Sequence, residues 1–99
     1  MLEKEIERKL VKQIEKQGGL CWKFVSPNLP GVPDRIVILP NGRIIFVELK
    51  TEIGRLSRLQ DYCIGQLRAR GCDARIIKGQ AALNEFLKEV KNSEENNCM

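Results

Sequence analysis

The spacing of apolar residues changes character along the chain, and each change marks an element. Over residues 2–17, Leu2, Ile6, Leu10, Val11 and Ile14 fall within one half of a helical wheel. That predicts an amphipathic helix, which Gly18-Gly19 brings to an end. Residues 20–25 suit a strand, and Ser26–Pro33, with three prolines and a glycine, must be a loop. Arg35–Leu39 and Arg43–Leu49 are β-branched or aliphatic runs joined through Pro40-Asn41-Gly42, a hairpin signal. A second loop, Thr51–Leu56, leads to Ser57-Arg58-Leu59-Gln60, a capping box that opens a helix. Its inward face should carry Leu59, Tyr62, Cys63 and Leu67, with Gly71 as its C-terminal cap. Residues 73–78 complete the strands. A last helix over 81–91 turns Leu83, Phe86, Leu87 and Val90 inward, and the polar segment Asn92–Met99 reads as a frayed tail. One domain over 1–91 with a disordered tail at 92–99 is the expected organisation. The order α-β-β-β-α-β-α points to an α/β fold. Arg43–Leu49, apolar on both faces, should be a central strand covered on each side.

That central strand also holds the oddest residues of the chain. With a period of two, Ile44, Phe46, Glu48 and Lys50 share a face, so two charged residues continue an otherwise apolar row. Burying an unpaired charge costs on the order of several kcal/mol, so a partner or a ligand is expected. An ion pair between Glu48 and Lys50 is the plain structural reading. Residues two apart on a strand sit about 6.6–7 Å apart, however, a spacing that suits joint aim at a third object better than tight pairing.

Asp34, directly after Pro33, begins the preceding strand. If the hairpin loop is Pro40–Gly42, Leu39 faces Arg43, and by the same register Asp34 faces Glu48. Two carboxylates that close repel unless a cation lies between them, and oxygen ligands suit Mg²⁺ or Mn²⁺. A cation there would activate water and polarise a phosphate oxygen. The Lys50 ammonium could then stabilise the attacking hydroxide or the charge that develops on phosphorus. Such chemistry hydrolyses a phosphodiester and needs no nucleophilic side chain. The spelling alone is weak, since Glu-x-Lys occurs three times here. Only Glu48-Leu49-Lys50 ends a strand beside a Pro-Asp.

Charge distribution agrees with a polyanionic substrate. Residues 18–79 hold ten basic and five acidic side chains, whereas residues 80–99 hold two and four. No apolar run is long enough to span a bilayer and the amino terminus is charged, so a cytosolic protein that does not contact membrane is expected. The four scattered cysteines (Cys21, Cys63, Cys72 and Cys98) lack a C-x-x-C pair and histidine is absent, which favours reduced thiols.

Taken together, Gly31-Val32-Pro33-Asp34, the hairpin, Phe46-Val47-Glu48-Leu49-Lys50, Gly54-Arg55-Leu56-Ser57 with Gln60, and Arg70-Gly71 resemble the virus-type replication–repair nuclease (VRR-NUC) family of the PD-(D/E)xK superfamily. The resemblance runs from the first helix to about residue 79. It implies a restriction-endonuclease-like α-β-β-β-α-β core with a mixed central sheet flanked by helices. It also implies a Mg²⁺- or Mn²⁺-dependent endonuclease of phage or bacterial origin, often homodimeric, acting on branched DNA such as Holliday junctions. Asp34, Glu48 and the Leu49 carbonyl would then ligate the metal, Lys50 would serve the nucleophile, and Gln60 would orient Lys50 or a phosphate. The family places a further glutamate on the first helix. Glu3 and Glu7 both lie on the inward half of the wheel, and the spacing from Glu3 to Ile6 fits better.

Arg55, Ser57 and Arg58, at the entrance to the second helix, are candidates for flanking phosphates, and solvated surface positions are their plainer reading. Lys23 is a further candidate for DNA, and Trp22 reads as core. Gly31 would admit a DNA backbone, or serve a turn. Two rivals to the nuclease remain: a non-catalytic nucleic-acid-binding domain on the same fold, and an interaction domain in which Asp34, Glu48 and Lys50 form a buried ion network.

Overall fold

The computed structural model describes residues 1–97. Its elements are α1 (Glu3–Lys16), β1 (Leu20–Lys23), β2 (Arg35–Ile38), β3 (Ile44–Lys50), α2 (Arg58–Ala69), β4 (Asp73–Lys78) and α3 (Gly79–Asn97). This is the expected α/β order. The last helix runs on to Asn97, past the end at 91 that the apolar periodicity predicts, so residues 92–97 are helical rather than a frayed tail. Cys98 lies outside the described residues; Cys21, Cys63 and Cys72 are free thiols. No described helix is long and apolar enough to cross a membrane.

The strands form one sheet in the order β1-β2-β3-β4, antiparallel except for the parallel β3–β4 pair, so the sheet is mixed. The hairpin has the expected register: Arg35 faces Val47 and Ile38 faces Ile44. Leu39 N–H donates to the Arg43 carbonyl at 2.9 Å, and Gly42 closes the loop at φ +87°, a conformation other residues resist. The β4 crossover is provided by α2, whose capping box is complete: Ser57 Oγ accepts from the Gln60 amide at 3.1 Å and Gln60 Oε1 from the Ser57 amide at 2.9 Å.

Strand alternation gives the sheet two unlike faces. Cys21, Val37, Ile45, Val47, Leu49 and Ile77 point to one side, where α1 and α3 bury them under Ile6, Leu10, Ile14, Leu83, Phe86, Leu87 and Val90. At the far end of that face, Asp73 takes Arg43 at 2.8 Å and Arg75 at 2.6 Å, and Arg75 reaches Glu89 of α3 at 2.7 Å. The opposite side carries Leu20, Ile38 and Ile44 in one cross-strand row and Trp22, Ile36, Phe46 and Ala74 in the next. Only α2 lies over it, packed on the β4 side.

This half-cover overturns two expectations. Trp22 is not core: its ring sits on the bare part of the sheet, 59% exposed. On α2 the buried residues are Cys63 and Ile64, while Tyr62 faces outward and Leu59 is left part-exposed against the loop at Gly31, because the helix leans on β4 and not on β1–β2. Leu2, expected inside, precedes α1 and is exposed.

Candidate active site

The residues of interest gather where the half-covered face ends. One register step beyond the Arg35–Val47 pair, Asp34 lies opposite Glu48, and the Phe24 amide donates to the Asp34 carbonyl at 3.0 Å. Asp34 Oδ2 accepts the Leu49 amide at 2.9 Å, which fixes the carboxylate against β3. Glu3, from the first turn of α1, completes a trio: Glu3, Asp34 and Glu48 each offer a carboxylate oxygen, all within 4.8 Å of one another.

Of the two glutamates on the inward half of α1, Glu3 is therefore the one at the cluster. Glu7 is engaged elsewhere, accepting from Arg35 Nε at 2.8 Å while the same guanidinium donates to the Cys21 carbonyl at 3.2 Å. Arg35 thus pairs with Glu7 on the face of the sheet opposite to Glu48. Its signal in the sequence is slight: an arginine next to Asp34 on the opposite face of β2.

Glu48 is the most unusual group in the molecule. It is 1% exposed, the one buried charged residue among those described. Its Oε2 accepts from Gln60 Nε2 at 3.2 Å and lies 3.4 Å from Lys50 Nζ. Its Oε1 is buried without any partner. Burial above all, then the charge on Asp34, pushes this carboxyl from its ordinary 4.5 up to about 7; Lys50 pulls the other way and Glu3 adds to the rise. The Glu48–Lys50 pair does form, at the long end of ion-pair distances. Three carboxylates against one ammonium leave a formal surplus of two negative charges, which a divalent cation would balance. An orphaned buried oxygen beside two further oxygen donors is what such an ion needs, so the residues present fit one.

Gln60 closes the capping box through Oε1, and its Nε2 donates to Glu48 and not to Lys50, a partner expected for it. Ser57 spends its hydroxyl on the cap of α2. Arg55 and Arg58 are exposed at the entrance to α2, with no ion pair among the described residues. Lys23 is not brought to the site: alternation along β1 puts it on the same face as Cys21 and Arg35, opposite to Glu48. Gly31 is buried, and a side chain there would come within 2.5 Å of Leu59 Cγ and 2.7 Å of the Leu59 backbone. Tight packing of the loop on α2 thus accounts for this glycine, and neither a positive φ nor an approaching DNA backbone is required.

Comparison with known proteins identifies the fold. Residues 2–81 match the family model of the VRR-NUC domain. A curated relative, “Putative nuclease p44” of Acyrthosiphon pisum secondary endosymbiont phage 1, is 60% identical over 48 residues, which cover 48% of this chain and 52% of that protein. The match therefore spans about half the length of that relative. A solved structure described as “VRR_NUC domain” superposes with a TM-score of 0.82 at 28% identity, covering 87% of this chain and 94% of the other.

Proposed function

The chain belongs to the VRR-NUC domain family, and from that premise we propose that it is a metal-dependent, structure-specific endonuclease hydrolysing phosphodiester bonds in branched DNA such as Holliday junctions. A nuclease domain implies DNA as the substrate. The reading rests on one observation: three carboxylates from α1, the start of β2 and β3 meet within 4.8 Å around a buried, unpaired Glu48 oxygen.

Glu3, Asp34 and Glu48, with the Leu49 carbonyl that the family resemblance adds, would hold Mg²⁺ or Mn²⁺. When bound, such an ion supplies Lewis acidity toward a phosphate oxygen and makes water acidic enough to attack near neutral pH. The remaining work falls to the chain itself. Asp34 is aimed by the Leu49 amide and Glu48 by Gln60, so both carboxylates are oriented before a ligand arrives. Lys50, shielded from water beside Glu48, presents its ammonium to the attacking oxygen or to the charge building on phosphorus. Arg55 and Arg58 hold the flanking phosphates, and the Ser57 amide cap fixes the helix entrance that carries them.

The half-covered sheet supports a homodimer. Leu20, Trp22 and Ile44 leave apolar side chains in water on the bare part of the sheet, the kind of surface that a partner covers. A second copy laid over this face would bury it and supply the second active site that paired strand scission requires.

Incubating an end-labelled four-way junction with the protein tests the catalytic reading. Cutting with Mg²⁺ and none with EDTA is expected, and Lys50→Ala should still bind the junction without cutting it. Junction binding with no metal-dependent scission by the wild type would instead favour a non-catalytic DNA-binding domain. Light scattering coupled to size exclusion tests the pairing: a dimer is expected for the wild type and a monomer for Trp22→Asp.

A further inference from the structure

Ile53 is 90% exposed, more than any other large apolar residue described in the chain. A single exposed aliphatic side chain is ordinary on a protein surface. What sets this one apart is how its loop is held. The turn that carries it closes through the Gly54 amide, which donates to the Thr51 carbonyl at 3.1 Å. Glu52, next to it, accepts from the Gln80 amide at 3.3 Å at the start of α3, and its other oxygen lies 4.0 Å from the N-terminal ammonium. Gly79, at φ +83°, makes room for that carboxylate, since a side chain there would come within 2.6 Å of Glu52 Cγ. The capping box at Ser57 fixes the far end of the loop. A segment tied at three points presents an isoleucine to water and buries it against nothing.

Its position gives the exposed side chain a use. The turn follows Lys50 directly and folds back on it, since a side chain at Gly54 would come within 3.2 Å of Lys50 Cβ. Arg55 follows directly after the turn and is exposed. Along the chain, Ile53 therefore falls between Lys50 of the active centre and Arg55, a candidate phosphate-binding arginine. Apolar side chains so placed enter DNA between base steps, and the opening is easiest where bases are already unpaired or unstacked.

Resting on the nuclease reading above, we infer that Ile53 is a wedge that inserts between bases at a branch point and so selects branched over continuous duplex DNA. Continuous duplex has to be unstacked before the side chain can enter, whereas a junction presents the gap. Discrimination then arises without any base-specific hydrogen bond.

The test uses the full chain and a four-way junction with 2-aminopurine next to the branch, in EDTA so that no strand is cut. Wild type is expected to raise the fluorescence as the base unstacks, Ile53→Leu to do the same, and Ile53→Ala to lose the rise. Because Ile53 buries nothing, thermal midpoints of the three proteins should coincide. With Mg²⁺, Ile53→Ala should lower the ratio of junction to duplex cleavage by roughly tenfold, the scale set by a few buried methylenes. Equal fluorescence for wild type and Ile53→Ala, or no rise for either, overturns the wedge whether or not the protein cuts. A wild-type rise that Ile53→Ala lacks, with no cutting in Mg²⁺, sustains the wedge and overturns the nuclease reading instead.

Discussion

The two faces of the sheet are built from the same alternation and finished differently. On the α1/α3 face every inward position of β2 and β3 is aliphatic apart from Arg35, and the core is closed. On the α2 face the rows begin apolar and bare, at Leu20–Ile38–Ile44, and end in Asp34, Glu48 and Lys50. Stability is therefore concentrated on one side of β3 and chemistry on the other. The lesson is that a strand can serve both, provided that its odd and even residues answer to different layers.

Substitutions along β3 should separate the two sides. The largest effect is expected at Lys50→Ala: DNA cleavage falls about a thousandfold, the scale for losing a group that stabilises transition-state charge, while the circular dichroism spectrum keeps its folded form. One residue pair away in character, Val47→Ala on the closed face should cost about 2 kcal/mol or more in urea unfolding yet leave cleavage per folded molecule unchanged. If Val47→Ala removed activity at full folding, the division of labour would be wrong.

The acid–base behaviour of Glu48 sharpens the contrast. In the ion-free protein its folded value near 7 lies above the ordinary 4.5, so its contribution to stability is fully present below about 4.5 and is lost as pH rises to about 7. Glu48→Gln should flatten that part of the stability–pH curve. Ion binding has the opposite dependence, because the ligand must be deprotonated: Mg²⁺ affinity measured by calorimetry should rise about tenfold per pH unit up to roughly 7 and then level off. An affinity that ignores pH over that range would remove Glu48 from the ligand set. The smallest effect belongs to the bare rows, where Ile44→Ser should change the unfolding free energy of the monomer by only about 0.5 kcal/mol while weakening self-association.

Much of this is legible in the chain itself. The hairpin loop length fixed which residues sum to a constant across the strands, and that arithmetic alone brought Asp34 opposite Glu48. The wheel narrowed the α1 glutamate to Glu3 or Glu7, since its geometry is local. What separates the two is Arg35, whose grip on Glu7 depends on a helix crossing a strand far away in sequence. Trp22, Leu59 and Tyr62 misled for a related reason. Hydrophobicity marks a residue as fit to be covered, but whether a cover exists depends on where α2 lands. The alternation that sends Lys23 to the face away from the site was present in the sequence, and only its placement beside Cys21 made it visible.

The contact between Gly31 and Leu59 carries a mechanical consequence. The loop that delivers Asp34 rests on the first turn of α2, and the residue after Leu59 is Gln60, the side chain that steadies Glu48. With no slack between loop and helix, one added methyl at position 31 would travel as a displacement and lift the amide off its carboxylate. The catalytic apparatus can in this way be unseated by pure bulk, at a spot that holds no charge and touches no substrate.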